Sequence, residues 1–253
     1  MNLLIDIGNS RIKWLHHDDS EKKFGLSGAI TNDLQVLQEL FSQNWRNLVR
    51  PNRVLVSSVS GPDTTEIMDV WIKETWQIEA EYVKTEAFSQ GVSNAYPDYY
   101  KLGVDRWMAI IAAWHRFQSD KAAICVVDCG TATTIDGISE SGQHLGGFII
   151  PGYTMMQEIL IKNTSNINIV RNTDPIIDFS DSTEQGVVSG CYLAMVASID
   201  RVVAAMKNDY GERIRCIITG GNAEFILKQL ATEFEYEPEL VLHGLSVLSG
   251  QTK

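Results

Sequence analysis

The sequence predicts an α/β protein built from two similar domains, and three observations support this. The chain has 253 residues, and at roughly 150 residues per domain it can form one large or two small domains. Apolar runs typical of buried strands alternate with stretches of helical periodicity, as in α/β folds. A short motif at the start of the chain recurs near its middle, which indicates an internal duplication.

The repeated motif is an aspartate and a glycine followed by two small residues. Asp6-Ile-Gly-Asn-Ser10 recurs as Asp128-Cys-Gly-Thr-Ala132, 122 positions later. Both copies follow an apolar strand and lead into a second strand, which is the pattern of a β-hairpin. We therefore predict two duplicated α/β domains over residues 1–118 and 119–253, with a cleft between them.

In the first half, apolar runs indicate the strands and a period of 3.6 residues indicates the helices. The first hairpin is predicted over 3–7 and 11–15, and apolar residues at 34, 37, 40, 41 and 45 predict a helix over 33–45. The remaining elements are a strand over 54–59, a helix over 64–75, a polar stretch over 89–101 and an apolar helix over 104–118.

The second half starts again with a buried strand over 122–128 and a return strand over 133–138. A glycine-rich segment, 146–152, precedes a helix over 154–163. Ser182 and Gln185 have the spacing of a capping box and open a long helix to about Lys207. The last predicted elements are a strand over 214–219, the pair Gly220-Gly221 and a helix over 222–234.

Charge and composition exclude several classes of function. The chain has 21 Lys and Arg against 32 Asp and Glu, a net charge of −11, which argues against non-specific binding to nucleic acid or anionic membrane. Its four cysteines form no CxxC pair, and no histidine cluster completes a zinc site. The N-terminus has no basic region typical of a signal peptide, and no apolar run approaches the roughly 18 residues of a membrane span. We expect a cytoplasmic protein.

The repeated motif has the chemistry of a phosphate-binding turn. Its glycine lets the backbone approach a ligand closely, and small polar side chains stand beside the backbone N–H groups, namely Asn9, Ser10 and Thr131. Asp6 and Asp128 would repel phosphates unless a cation lay between them, which implies Mg²⁺ or a monovalent ion. Lys13, on the return strand, could reach the same phosphates. A single copy would be interpreted as an ordinary turn, but two copies favour phosphate binding.

Asp105 is a second candidate, at the start of the predicted helix over 104–118. The N-terminus of a helix favours an ionised carboxylate, which can accept a proton from a hydroxyl group. From the sequence alone, a role for Asp105 in capping the helix is the simpler interpretation, and Arg106 can equally be a solvated charge. The chain contains neither GxxxxGK[ST] nor GxGxxG, which excludes a P-loop kinase and argues against a Rossmann dinucleotide site.

Four motifs taken in order resemble those of the type III pantothenate kinase family, within the actin/hexokinase/Hsp70 superfamily. They are Asp6-Ile-Gly-Asn-Ser-Arg-Ile-Lys13, Leu102-Gly-Val-Asp-Arg-Trp107, Asp128-Cys-Gly-Thr-Ala-Thr-Thr-Ile-Asp136 and Gly146-Gly-Phe-Ile-Ile-Pro-Gly152. The resemblance implies two ribonuclease H-like domains and a homodimer. It also implies ATP-dependent phosphorylation of pantothenate to 4′-phosphopantothenate, the start of coenzyme A biosynthesis.

The resemblance further implies roles for individual residues. Asp105 would be the general base, and Asp128 would bind a monovalent cation, K⁺ or NH₄⁺, while Mg²⁺ accompanies ATP. ATP would be bound between the hairpins by Asp6, Ile7, Gly8, Asn9, Ser10, Arg11, Ile12, Lys13 and Thr131. Pantothenate would be bound by Tyr96, Gly103, Val104, Asp105, Arg106 and Thr183. Read alone, Tyr96 and Thr183 would be structural residues.

Two other functions stay open at this point. Relatives of the family include accessory factors for transcription, and the same fold hosts sugar kinases and polyphosphate hydrolases. The presence of every expected catalytic and phosphate-binding residue favours the kinase. The helix after Thr183 is apolar over more than the roughly 100° stripe of a surface helix. This pattern indicates either a subunit interface, which would carry Thr183 toward the partner's Asp105, or burial within its own domain.

Overall fold

A computed structural model describes residues 1–18, 23–164 and 174–250 of the chain. The chain divides into two compact units, Met1–Arg116 with Glu239–Lys253, and Phe117–Pro238. Each unit contains a five-stranded sheet in which three antiparallel strands are followed by two parallel ones. This repeated order confirms the prediction of two duplicated α/β domains of the ribonuclease H-like type.

The first unit contains a sheet of order β3-β2-β1-β4-β5 and a small two-stranded sheet, β6-β7. The strands are β1 (Asn2–Ile7), β2 (Arg11–Asp18), β3 (Lys23–Thr31), β4 (Val54–Ser58), β5 (Ala80–Tyr82), β6 (Phe88–Ser89) and β7 (Val92–Ser93). The helices that precede the second unit are α1 (Leu37–Trp45), α2 (Pro62–Trp76), a 3₁₀ turn (Tyr99–Lys101) and α3 (Val104–Phe117).

The second unit contains a sheet of order β10-β9-β8-β11-β12. The strands are β8 (Ala123–Cys129), β9 (Ala132–Ile138), β10 (His144–Pro151), β11 (Ile214–Thr219) and β12 (Glu235–Tyr236). The helices are a 3₁₀ turn (Gln118–Asp120), α4 (Tyr153–Asn163), α5 (Thr183–Tyr210) and α6 (Ala223–Leu227). The last helix of the chain, α7 (Leu240–Ser249), belongs to the first unit.

The position of α7 corrects the predicted domain boundary. We expected the whole of 119–253 to belong to the second domain, whereas the segment that contains α7 packs against β1, β2 and β4. The helix is apolar and buries Leu240, Leu242 and Leu245. Gly244 lies against the backbone of Met108, where a side chain would have no space. Burial of this apolar helix therefore returns the end of the chain to the first sheet.

The cores of the two units differ in composition. In the first unit α1 and α2 contribute an aromatic cluster in which the Phe41 and Trp45 rings stack at 4.4 Å and the Trp71 and Trp76 rings meet edge to face at 5.0 Å. In the second unit the long helix α5 covers one face of the sheet with aliphatic and sulfur-containing residues, among them Met195 and Ile199. Each sheet thus has its own hydrophobic core.

Six of the twelve strands in the described residues were not predicted, namely β3, β5, β6, β7, β10 and β12. The two longest of them, β3 and β10, are edge strands. β3 exposes most of its residues, and β10, which contains the glycine-rich segment, exposes five of eight. Their sequences do not show the clean alternation that a half-buried strand requires. The predicted helix over 33–45 begins later, at Leu37, because Asp33–Val36 forms a turn in which the Val36 N–H donates to the Asp33 carbonyl.

The helix α5 follows the prediction closely. The Ser182 hydroxyl accepts a hydrogen bond from the Gln185 N–H at 3.3 Å, but the Gln185 amide donates to the Asp174 carbonyl and the Ser189 hydroxyl instead of completing the capping box. The helix α5 is long and apolar enough to span a membrane, whereas the sequence analysis expected no such segment. Half of its most apolar stretch is buried within the protein, as in a core helix.

Candidate functional site: two repeated hairpins and the start of a helix

The first repeat forms the turn between β1 and β2. Ile7 pairs with Ile12, so four residues, Gly8–Arg11, make the turn. Asp6 lies directly opposite Lys13, and side chains of paired residues project from the same face of a sheet. The hairpin thus brings an acidic and a basic side chain together beside the turn. In such an arrangement the ammonium of Lys13 can bind a phosphate and the carboxylate of Asp6 can bind a cation that accompanies it.

Asn32, the residue after β3, fixes this turn. Its N–H donates to the Ser10 carbonyl at 3.0 Å, and its side-chain amide donates to the Gly8 carbonyl at 2.9 Å and to the Ser60 hydroxyl at 3.0 Å. The Thr64 hydroxyl in turn donates to Asn32 Oδ1 at 3.1 Å. No sequence motif singled out Asn32, because its partner Gly8 lies 24 residues away along the chain.

The second repeat forms a turn that is one residue shorter. Cys129 pairs with Thr133, which leaves three residues, Gly130–Ala132, in the turn. The two repeats are therefore equivalent at an offset of 122 positions only from Asp6 and Asp128 to Gly8 and Gly130. Beyond the glycine Thr131, and not Ala132, occupies the place of Ser10.

The neighbour of this second turn is a glycine in place of Asn32. The Gly152 N–H donates to the Thr131 carbonyl at 3.0 Å, as the Asn32 N–H does to Ser10. A Cβ atom at Gly152 would lie 2.5 Å from the carbonyl oxygens of Gly130 and Thr131. The end of β10 therefore approaches the turn so closely that only glycine fits.

Asp128 ends the second hairpin against a further glycine. Gly220 has φ +98°, and a Cβ atom there would lie 2.5 Å from Asp128 Oδ1 and from the Cys129 carbonyl carbon. Burial, together with the charge of Asp128, raises the pKa of Cys129 to about 12. The residue directly opposite Asp128 is the uncharged Thr134. The sequence analysis gave Gly220 no functional role, although the glycine pair 220–221 directly after a predicted strand could have drawn attention to it.

The surroundings of Asp128 fit a hard cation. Carboxylate and backbone oxygens are the ligands that such ions prefer, and the absence of a side chain at Gly220 leaves room for the Asp128 carboxylate at the end of the hairpin. Within residues 1–18, 23–164 and 174–250, no group of three or more His, Cys, Asp or Glu side chains could hold a metal. A cation at Asp128 would thus need further oxygen ligands from the backbone, a nucleotide or water.

Asp105 lies in the first turn of α3, where the sequence predicted it. Its Oδ1 accepts a hydrogen bond from the Arg106 N–H at 2.7 Å. A Cβ atom at Gly103 would lie 2.6 Å from that oxygen, and the Gly103 carbonyl accepts the N–H of Trp107 at 3.0 Å. The glycine two residues before Asp105 therefore makes room for the carboxylate at the positive end of the helix.

Arg106 and Tyr96 contact each other. Arg106 Nη1 donates to the Tyr96 hydroxyl at 3.2 Å, and the guanidinium carbon lies 5.9 Å from the centre of the Tyr96 ring. Arg106 is only 7% exposed, so its interpretation as a solvated charge is wrong. Asn94 holds the loop by accepting the Tyr96 N–H at 3.0 Å and donating to the Glu86 carbonyl at 3.2 Å. A buried cation with a hydroxyl group beside it can bind an anion.

Thr183 and the apolar surface residues belong to the second unit. Thr183 is exposed at the first position of α5. No residue of α4 is buried, although the helix is rich in apolar side chains. Large apolar side chains are exposed on β10, α4 and α5, namely Phe148, Ile149, Ile159, Leu160, Ile161 and Leu193.

Comparisons with known proteins agree on one family. The type III pantothenate kinase family matches over residues 2–205. A type III pantothenate kinase of Nitrosococcus oceani is 37% identical, covering 100% of this chain and 95% of that protein. Another, of Nitrosospira multiformis, is 32% identical over 99% of this chain and 91% of its own length.

Solved structures share the fold at lower identity. A putative Baf family transcriptional activator from Campylobacter jejuni has a TM-score of 0.57 at 22% identity, over 97% of this chain and 96% of that chain. A chain of the PilM–PilN type IV pilus biogenesis complex has a TM-score of 0.55 at 10% identity, over 99% of both chains. The sequence relatives carry the functional conclusion: the chain belongs to the type III pantothenate kinase family and phosphorylates pantothenate with ATP in coenzyme A biosynthesis.

Proposed function

We propose that Asp105 is the general base of this kinase. It accepts the proton of the primary hydroxyl of pantothenate as that oxygen attacks the γ-phosphorus of ATP, and the product is 4′-phosphopantothenate. The observation that carries this proposal is the carboxylate in the first turn of α3, with Gly103 leaving space beside it. Phosphoryl transfer depends mainly on positioning and on charge stabilisation, with such a base orienting the nucleophile.

Arg106 binds an anionic group, either the pantothenate carboxylate or a phosphate. Its buried guanidinium already donates to the Tyr96 hydroxyl, and hydrogen bonds from a charged donor to an anion are roughly twice as strong as neutral ones. Gly103 and Val104 form the backbone beside Asp105. The contacts of Tyr96 with Asn94 and Arg106 support its role as a substrate ligand.

ATP binds to Asp6, Ile7, Gly8, Asn9, Ser10, Arg11, Ile12, Lys13 and Thr131. The four-residue turn of the first hairpin and the pairing of Asp6 with Lys13 support this assignment. Mg²⁺ accompanies the phosphates of ATP, and Asp128 holds a monovalent cation, K⁺ or NH₄⁺. Such cations offset negative charge on the transferring phosphoryl group, which suits a chain of net charge −11.

The protein acts in the cytoplasm as a homodimer in which Thr183 completes the partner's pantothenate site. Most of the apolar residues that suggested an interface on α5 are buried within the second unit, but Leu193 is 49% exposed. The exposed apolar residues of β10 and α4 offer a larger surface of the kind that a second subunit covers. Light scattering tests the dimer, since a fully active species of 28.2 kDa would contradict it.

Asp105→Asn tests the catalytic assignment. The amide keeps an acceptor for the Arg106 N–H but cannot take up a proton, so kcat should fall about 10²- to 10⁴-fold with little change in the thermal midpoint. Asp98→Asn is the matched control, because the Asp98 side chain forms an exposed ion pair with Lys101. Phosphopantothenate is measured beside a panel of sugars and polyphosphate. A variant with more than a tenth of the wild-type rate would rule out Asp105 as the base.

Mixing two inactive variants tests whether the site is shared. Thr183→Arg should block the pantothenate site and Asp105→Asn should remove the base. If the two residues act in trans, subunit exchange yields a heterodimer with one intact site, and part of the activity returns. A mixture that stays inactive after exchange would show that the site lies within one chain.

A further inference from the structure

We propose that Asn32 is a positioning residue for ATP: its side chain fixes the peptide between Gly8 and Asn9 so that the Asn9 N–H points toward the phosphates. The inference rests on the proposed function, in which the turn over residues 8–11 binds ATP. It adds a residue outside the repeated motif to the phosphate site.

The geometry of the peptide bond carries the first step. The Asn32 side-chain amide donates to the Gly8 carbonyl at 2.9 Å. A trans peptide is planar, with its C=O and N–H pointing in opposite directions, and the described chain contains no cis peptide bond. The Asn9 N–H therefore points away from Asn32. Preorganised backbone N–H groups are effective donors to phosphate oxygens.

The same residue fixes the other side of the turn. The Asn32 N–H donates to the Ser10 carbonyl at 3.0 Å, which by the same geometry directs the Arg11 N–H away from Asn32. Two of the peptides in this turn are thus set by one residue. The turn itself is tight, since a Cβ atom at Gly8 would lie 3.2 Å from the Arg11 carbonyl oxygen.

The second hairpin shows why the side chain is needed. The equivalent of Asn32 there is Gly152, whose N–H donates to the Thr131 carbonyl but which has no side chain. That turn has one residue fewer and therefore one peptide fewer to fix. In the longer first turn the carbonyl of Gly8, the equivalent of Gly130, accepts the side-chain amide of Asn32.

The remaining contacts of Asn32 allow a role in stability to be separated from a role in positioning. Asn32 also contacts Ser60 and Thr64, beside and within the first turn of α2. Thr64→Val removes the hydroxyl that donates to Asn32 Oδ1 and keeps the shape of the side chain. Asn32→Asp keeps that acceptor but removes the amide that donates to Gly8. The two variants thus disrupt opposite ends of the same side chain.

The experiment compares binding of a non-hydrolysable ATP analogue with steady-state kinetics. Asn32→Asp should weaken analogue binding and raise the KM for ATP about tenfold or more, as expected for loss of one donor to a partly buried carbonyl. The KM for pantothenate should change less than twofold. Thr64→Val should lower the thermal midpoint and leave analogue binding unchanged. Asn32→Ala also lacks the amide but adds no negative charge, so it should weaken analogue binding as Asn32→Asp does. Wild-type binding by Asn32→Ala would show that the Asp variant acts through charge repulsion and would contradict the inference.

Lys13→Thr separates failure of this inference from failure of the proposed function. If Lys13→Thr weakens analogue binding and neither Asn32 variant does, the hairpin binds ATP and the role of Asn32 is wrong. If Lys13→Thr also binds the analogue as wild type does, the first hairpin is not the ATP site and both proposals fail. Equal weakening by Thr64→Val and Asn32→Asp would reduce Asn32 to a structural residue.

Discussion

The two hairpins share a topology but differ in what supports the turn. In the first, a side chain of Asn32 reaches the turn, and the residue opposite Asp6 is Lys13. In the second, the backbone of Gly152 and Gly220 packs directly against the turn and Asp128. A turn held by side chains tolerates gradual change, whereas a turn held by close backbone contact tolerates only glycine.

The hairpins also differ in charge. The lysine opposite Asp6 is replaced by the neutral Thr134 opposite Asp128. An anionic ligand near the second hairpin would therefore meet a carboxylate whose cross-strand neighbour supplies no positive charge. This difference supports the proposed monovalent cation at Asp128.

The largest expected effect on stability concerns the return strands β2 and β9. Two residues beyond Lys13 the first unit has Leu15, and two residues beyond Thr134 the second has Asp136. Asp136 Oδ1 and His144 Nε2 are 3.0 Å apart and both side chains are buried. Asp136→Leu removes the acceptor of His144 and should lower the free energy of unfolding by about 3 kcal/mol. The double variant Asp136→Leu/His144→Phe should recover most of that loss in urea denaturation. Additive losses would show that the two residues are not coupled.

Gly220→Ser tests the support of the second hairpin. Asp128 pairs with Thr219 as Asp6 pairs with Ser57, so Ser58 is the equivalent of Gly220 in the first unit. The positive φ and the contacts with Asp128 and Cys129 predict a loss of about 1–3 kcal/mol in unfolding free energy. The matched control is Gly221→Ser, where a Cβ atom would meet nothing within 4 Å. Equal stability of the two variants in thermal denaturation would refute the close contact at Gly220.

Thr134→Lys gives the second hairpin the charge pattern of the first and has the smallest expected effect. An ammonium opposite Asp128 should contribute about 1 kcal/mol or less where water has access. The phosphorylation rate of this variant should depend less on K⁺ than the wild-type rate does. Thr134→Val serves as the neutral control and should keep the wild-type dependence on K⁺. Identical K⁺ titration curves for the Lys variant and wild type would contradict the charge argument.

Patterns local in sequence predicted much of the fold. Apolar runs predicted β1 and β8, because these strands are buried and alternate little with polar residues. The Asp-x-Gly motif that ends each of them predicted the return strands β2 and β9, which contain more polar residues. The edge strands β3 and β10 were missed because they expose most of their residues. The return of α7 to the first unit depends on contacts more than 100 residues away along the chain, such as that of Gly244 with Met108.

The candidate site divides in the same way. Asp105 and Gly103 were assigned from the resemblance of the motif Leu102–Trp107, since Asp105 read alone would be a helix cap, and the structure adds a physical reason for their spacing. The burial of Arg106 against Tyr96 could not be predicted from the sequence, because it depends on the loop conformation in which Asn94 accepts the Tyr96 N–H. The shorter second turn was not predicted, because the similarity of two five-residue motifs does not determine how the flanking strands pair.

A thallium-soaked crystal tests most directly whether the unequal charge of the two hairpins places the monovalent cation at Asp128. Tl⁺ replaces K⁺ and is located by its anomalous scattering, here in the presence of an ATP analogue and Mg²⁺. We predict an anomalous peak in contact with the Asp128 carboxylate and none at Asp6, where Lys13 supplies the positive charge. A peak at Asp6 with none at Asp128 would contradict the account.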